Sequence, residues 1–280
     1  MKRLSATLVL VPVLLLLAGC GGSKDESTAT ASACTPDKLP THSRGVLTVA
    51  TDKPAYPPYF EEDEPANGKG FESAVAFAIG KQLGYPPAKV KWTVEPFNSS
   101  YAPGPKSFDF DVNEISITPA RAKVVDFSSP YYTANQAVVA LKNSDAAGAT
   151  SIADLKGAAI GVQIGTTSLS AVEDTIEPDS KPEVFNSSND VVTALKNEQI
   201  DAVVVDLPTA LYITAAQVPT ATVVGQFAAP GGDKWGALLA KGSPLTACVS
   251  EAVDELKGSG ELQKITKRWM SQAAGAPELD

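Results

Sequence analysis

The chain has 280 residues, with 23 Lys and Arg against 32 Asp and Glu, and a formal net charge of −9 at neutral pH. An acidic chain is repelled by nucleic-acid phosphates, which argues against a nucleic-acid partner. One histidine and three cysteines, without zinc-type spacing, leave no basis for a zinc site or a Ser-His-Asp triad.

Lys2 and Arg3 precede an apolar run, Leu8 to Leu17, about half as long as a membrane span. Small residues then lead to Cys20 in Leu17-Ala18-Gly19-Cys20. This reads as a lipoprotein signal peptide over 1–19, with Cys20 as the lipidated residue; an ordinary cleaved signal with a chance cysteine is the alternative. Two acyl chains on the thiol would hold the protein at a membrane. Removing 1–19 takes away Lys2 and Arg3 and no acid, so the net charge becomes −11. Residues 20–43 begin with Gly, Ser, Thr and Ala and read as a flexible, lipid-anchored tether. With Cys20 lipidated, Cys34 and Cys248 remain outside the cell and are expected to pair; a buried free thiol at Cys248 is the alternative.

The remaining residues suffice for two modest cores. Apolar strands are expected over 46–50, 90–94 and 110–115, with a helix from Phe71 to Leu83 that ends at Gly84. The stretch from Phe108 to Val112 alternates and suits a half-buried strand. Pro103-Gly104-Pro105 marks an irregular loop. A second alternating set follows: strands at 137–141, 159–162, near Val184 and at 202–205, and helices at 152–155, after Thr167 and at 190–197, with Asn189 or Asp190 as N-cap. A strand over 235–240 and helices over 245–256 and 260–270 complete the chain. Alternating strands and helices imply an α/β fold with largely parallel or mixed sheets covered on both faces. Crossovers are placed near 137–142 and 227–232.

The most informative stretch is Asn113-Glu114-Ile115-Ser116-Ile117-Thr118-Pro119-Ala120-Arg121. Thr118 and Pro119 predict a helix start that places Arg121 in the first turn, beside unpaired backbone N–H groups. With the Ser116 hydroxyl, these form a receptor for a carboxylate, which arginine grips with two parallel hydrogen bonds. The alternative is a capped helix whose arginine pairs with Asp126.

Extended to Tyr132, this run, SITPARAKVVDFSSPYY, resembles the signature of the amino-acid-binding receptors of bacterial ABC importers, solute-binding protein family 3. VATDKPAYPPY at 49–59, GKGFESAVAFAIGKQLGY at 68–85, SIADLKGAAIGVQIGTT at 151–167 and LKNEQIDAVVVDLPTAL at 195–211 follow the family order. The resemblance implies a type II periplasmic-binding-protein-like fold of two lobes, each a mixed sheet flanked by helices, joined by a two-strand hinge. Lobe 1 would take 44–137 and 229–271, lobe 2 would take 138–228, and 272–280 would be a C-terminal tail.

An α-amino acid needs an anion receptor, a cation receptor and a side-chain pocket. The resemblance assigns the anion receptor to Arg121, Ser116 and the N–H groups around Ile115, joined from lobe 2 by Thr166 and Thr167. Asp206, at the end of an apolar strand, would take the ligand's ammonium; a helix N-cap before Leu207-Pro208 is the alternative. Tyr56 and Phe97 match the aromatic walls, and Asp52 matches a position that touches the ligand side chain. Glu114 departs from the usual glycine or serine. If its side chain enters the cleft it joins Asp52 and Glu72 as a third carboxylate and favours a basic ligand; otherwise glutamine or another polar amino acid remains open.

The resemblance thus implies a monomeric, membrane-anchored receptor on the outer or periplasmic side. It would need no cofactor and would deliver its amino acid to an ABC permease and its ATPase. Two rivals share the fold: a cyclohexadienyl-dehydratase-like enzyme using Glu114 or Glu72 as acid or base, and the sensing subunit of a signalling receptor.

Overall fold

The computed structural model describes residues 34–229, 231–271 and 275–280. The expected signal peptide, Cys20 and the Gly/Ser part of the tether lie outside the described residues. Two five-stranded sheets dominate. The first contains β1 (Leu47–Thr51), β2 (Val90–Val94), β3 (Phe110–Asp111), β4 (Val125–Phe127) and β12 (Leu238–Ala240), in the order β2-β1-β3-β12-β4. β1 runs parallel to β2 and β3, and β12 runs antiparallel to β3 and β4. The second contains β6 (Gln136–Leu141), β7 (Ile160–Gln163), β8 (Glu183–Phe185), β9 (Ala202–Asp206) and β10 (Ala221–Phe227), in the order β10-β6-β9-β7-β8. Both sheets are therefore mixed, as expected for this fold class.

Between them lies a separate two-stranded ladder of β5 (Tyr132–Ala134) and β11 (Asp233–Trp235), antiparallel, with Trp235 opposite Tyr132. Only Asn135 separates β5 from β6. The chain thus changes sheets at 132–136, somewhat before the predicted crossover, and Gln136 and Ala137 belong to the second sheet. The single strand expected over 235–240 is two strands, broken at Gly236 and Ala237.

The first core packs α1 (Phe71–Gln82), α6 (Thr246–Gly258) and α7 (Glu261–Trp269) on the first sheet, with Phe71, Val75, Ile79, Val249 and Val253 all fully buried. α1 stops as predicted: Gly84 adopts φ +81°, a left-handed turn that glycine takes without steric cost. The expected half-buried strand at 108–112 is instead buried throughout, Asp109 and Asp111 included. β3 is a central strand, so both of its faces are covered. Asp109 is accommodated by accepting the backbone N–H groups of His42 and Thr48.

The two chain ends differ from expectation. Residues 34–43 are not free tether: Leu39 is buried in the first core, and Cys34 is bonded to Cys248 on α6, as predicted, closing a sequence separation of 214 residues. The C-terminal stretch is not a loose tail. Leu279 is buried in the second core, its N–H donates to the Gln226 carbonyl, and Glu278 bridges to Gln226 of β10. The chain therefore crosses from α7 back to the second sheet, a third connection beyond the two expected.

Candidate functional site

A cavity of about 330 Å³ lies between the sheets, at the carboxyl ends of β1, β7 and β9, where ligands bind in open α/β sheets. Nine of the eleven predicted ligand-site residues are accounted for directly: Asp52, Tyr56, Phe97, Glu114, Ser116, Arg121, Thr166, Thr167 and Asp206 all line it. Ile115 does not; its side chain is buried with Ala50, Phe108, Val125 and Leu238. Glu72 lies one layer behind, fully buried beneath the loop that carries Glu114.

Arg121 opens a single 3-10 turn (Arg121–Lys123), shorter than the predicted helix. Its N-cap is Ala120 rather than the predicted Thr118, although Thr118 Oγ1 accepts the Arg121 N–H at 3.2 Å. The guanidinium is nearly buried and lies over the rings of Phe97 at 5.4 Å and Tyr101 at 4.7 Å. It donates to the carbonyls of Ser116 (2.8 Å) and Gly165 (2.9 Å), so it spans both lobes. Asp126, the rival partner, instead binds Lys241 at 3.0 Å. Two of the five guanidinium N–H groups are thus committed to carbonyls, which leaves three for a ligand.

On the opposite wall Thr166 caps α3 (Thr167–Ala171), accepting the Leu169 N–H at 3.1 Å. Thr167 is left with its hydroxyl 3.3 Å from that of Ser116. Two further hydroxyls cross the cleft: Tyr59 meets Thr209 at 2.8 Å, and Tyr56 donates to the Asn189 side-chain carbonyl. Asp206 occupies the N-cap position of α5 (Leu207–Tyr212), but its carboxylate makes no cap bond. It accepts from Gln136 Nε2 at 2.6 Å, and the same amide nitrogen donates to Asp233 at 2.5 Å. Burial raises Asp206 well above the usual carboxylate range, and Asp233 adds to this; Gln136 and Arg121 pull the other way.

Glu114 lines the cavity. Its backbone adopts φ +49°, unusual for a residue with a side chain, and its N–H donates to Glu72 Oε1 at 2.7 Å. Burial, Glu72, Asp206 and Asp52 together push its carboxyl well above the usual range. Asp52 accepts the N–H groups of Lys53 and Phe97 and borders the same space.

Sequence reasoning missed the far wall. Gln163, Asn186, Ser188 and Asn189 come from the end of β7, the turn after β8 and the start of α4 (Ser188–Lys196), whose N-cap is Ser187 rather than Asn189 or Asp190. The polar run Asn186 to Asn189 directly follows β8, and that position at a strand's carboxyl end was the available signal. Tyr101, Gln136 and Asp233 carried no local signal.

The profile of bacterial extracellular solute-binding proteins, family 3, matches residues 47–272. The chain belongs to this family. The solute-binding protein is 31% identical to the arginine-binding extracellular protein ArtP of Bacillus subtilis, over 92% of this chain and 97% of that one. Among solved structures it resembles an ancestral arginine-binding protein bound to arginine (34% identity, TM-score 0.68, covering 81% of this chain and 98% of the other). It also resembles the ancestral amino acid-binding protein AncCDT-1, a precursor of cyclohexadienyl dehydratase (30% identity, TM-score 0.65, covering 81% and 95%). The family's members are extracellular solute-binding proteins of transport systems.

Proposed function

We propose that this solute-binding protein is the receptor of an amino-acid ABC importer and that its ligand is a cationic α-amino acid such as arginine, lysine, ornithine or histidine. Arg121, Ser116 and Thr167 take the α-carboxylate, Asp206 takes the α-ammonium, and Tyr56 and Phe97 flank the side chain. The observation that carries the ligand class is Glu114, which lines the cavity together with Asp52, while two N–H groups of Arg121 are held by the Ser116 and Gly165 carbonyls. A second positive charge on the ligand fits that imbalance, and a neutral or acidic side chain does not. The relatives named for arginine support the same class.

In this reading lipid on Cys20 holds the receptor at the outer face of the membrane, and Cys34–Cys248 fixes the tether to α6. The protein acts as a monomer. Tyr56–Asn189, Tyr59–Thr209 and Arg121–Gly165 contacts form as the lobes meet, and ligand contacts from both lobes bias the protein toward that closed form, which docks on the permease. Calorimetric titration with the twenty amino acids is the test. A micromolar cationic binder is expected; micromolar binding confined to neutral or acidic amino acids would remove the ligand class, and no binder at all would remove the transport reading.

A second reading has one observation in its favour. A carboxyl pushed well above its usual range by burial and neighbouring acids, as that of Glu114 is, can serve as a general acid for a dehydratase. The same acids would repel prephenate, which brings two carboxylates to a site with one available arginine. Consumption of prephenate or arogenate would decide for the enzyme.

A further inference from the structure

Glu72 projects from α1 and is completely buried. Its Oε1 accepts the Glu114 N–H at 2.7 Å and the Tyr131 hydroxyl at 2.5 Å. Its Oε2 is buried with no hydrogen-bond partner, so the Glu114 N–H bond seats two carboxyl-bearing residues against each other away from water. Two acids buried side by side repel when both are ionised, which favours a proton on one of them. The groups around the pair give it little reason to ionise fully. Asp52 at the end of β1, Asp111 in β3, Asp206 at the end of β9 and Asp233 in β11 are acids. Tyr59 and Tyr131 present neutral hydroxyls, both held well above their usual range by burial. Of the bases, Arg121 is committed to the Ser116 and Gly165 carbonyls, Lys53 on the rim reaches Asp63 at 3.5 Å, and Lys106 lies toward Glu95 and Asp111.

We propose that the cleft exchanges a proton for the ligand's cationic head: the Glu72–Glu114 pair holds one proton in the ligand-free protein and releases it to solvent when a guanidinium or ammonium takes its place. This rests on the cationic reading of the same site. The exchange is balanced: one O–H bond breaks, the proton passes to water or buffer, and the positive charge of the ligand replaces it, so the net charge of the site is unchanged. Glu114 is suited to the exchange because it lines the cavity and is held against Glu72. Burial raises Glu72 to about 7, restrained by the Tyr131 hydroxyl and the Glu114 N–H, and burial and Glu72 push Glu114 well above the usual carboxylate range. The proton is therefore present at neutral pH without ligand. Below that range a cationic ligand must displace it, and affinity falls by about tenfold per pH unit for one proton. A ligand with a neutral head displaces nothing.

The experiment is calorimetry on the full-length protein near neutral pH, in buffers of different ionisation enthalpy, with L-arginine and its neutral isostere L-citrulline. Arginine is expected to release close to one proton and citrulline none, and Glu114→Gln is expected to abolish the release. Arginine binding without proton release in the wild-type protein overturns the exchange and leaves the proposed function standing. Failure of any cationic amino acid to bind removes the proposed ligand class instead. The infrared carboxylic C=O band of the ligand-free protein judges the shared proton without a ligand. Part of it is expected to be present at neutral pH in the wild-type protein and to be missing from Glu114→Gln; no band at neutral pH, or one that this substitution leaves unchanged, sinks the proposal.

Discussion

Replacing Arg121 tests the ligand geometry most directly. The guanidinium is nearly buried, lies against two aromatic rings and gives one N–H to each of two carbonyls from opposite walls. The remaining donors are available to the ligand carboxylate. Removing one partner of a buried, hydrogen-bonded charge pair costs about 2–5 kcal/mol. At about 1.4 kcal/mol per decade, Arg121→Ala should weaken L-arginine binding by roughly thirtyfold to several thousandfold. Arg121→Lys separates charge from shape. An ammonium has three donors, and satisfying Ser116 and Gly165 leaves one for the ligand. The lysine variant should therefore also lose most of the affinity while keeping the charge. The assay is isothermal calorimetry, with urea unfolding of each variant to confirm that it is folded. A folded Arg121→Ala variant that binds within about threefold of wild type would refute the assignment of Arg121 as the carboxylate receptor, since a lost charge pair cannot cost so little.

Two further predictions concern the segments that fasten the chain ends. Opening the Cys34–Cys248 bridge with a Cys34→Ser, Cys248→Ser double substitution should cost about 2–5 kcal/mol, read from the urea midpoint, because the bridge closes a very long loop; an unchanged midpoint would show that it contributes no stability. Leu279→Ala should lower stability by about 2–3 kcal/mol through loss of its packing in the second core. Hydrogen exchange at β10 should rise with it, and unaltered protection of Gln226 would count against the third connection.

How much was legible in advance divides along physical lines. The helix over 71–83 and its stop at Gly84 could be read because periodicity and a left-handed glycine are local properties. β2, the Cys34–Cys248 pair and nine of the residues that line the cavity could also be read, the last because ordered motifs match a known family. The half-buried reading of Phe108 to Val112 failed because alternation says nothing about a strand's place in its sheet, and a central position covers both faces.

By itself the sequence determined the alternation of strands and helices, the family, and the residue types able to meet a zwitterion. Only the tertiary structure decided that Glu114 lines the cavity against Glu72, that Gln136 stands between Asp206 and Asp233, and that Leu279 reaches the second core. Each of these depends on groups brought together from 42 to 97 residues apart, or on a chain end returning to a distant strand. Periodicity and propensity act within a few neighbouring residues, whereas the energy of a buried carboxyl is set by whatever the fold packs against it.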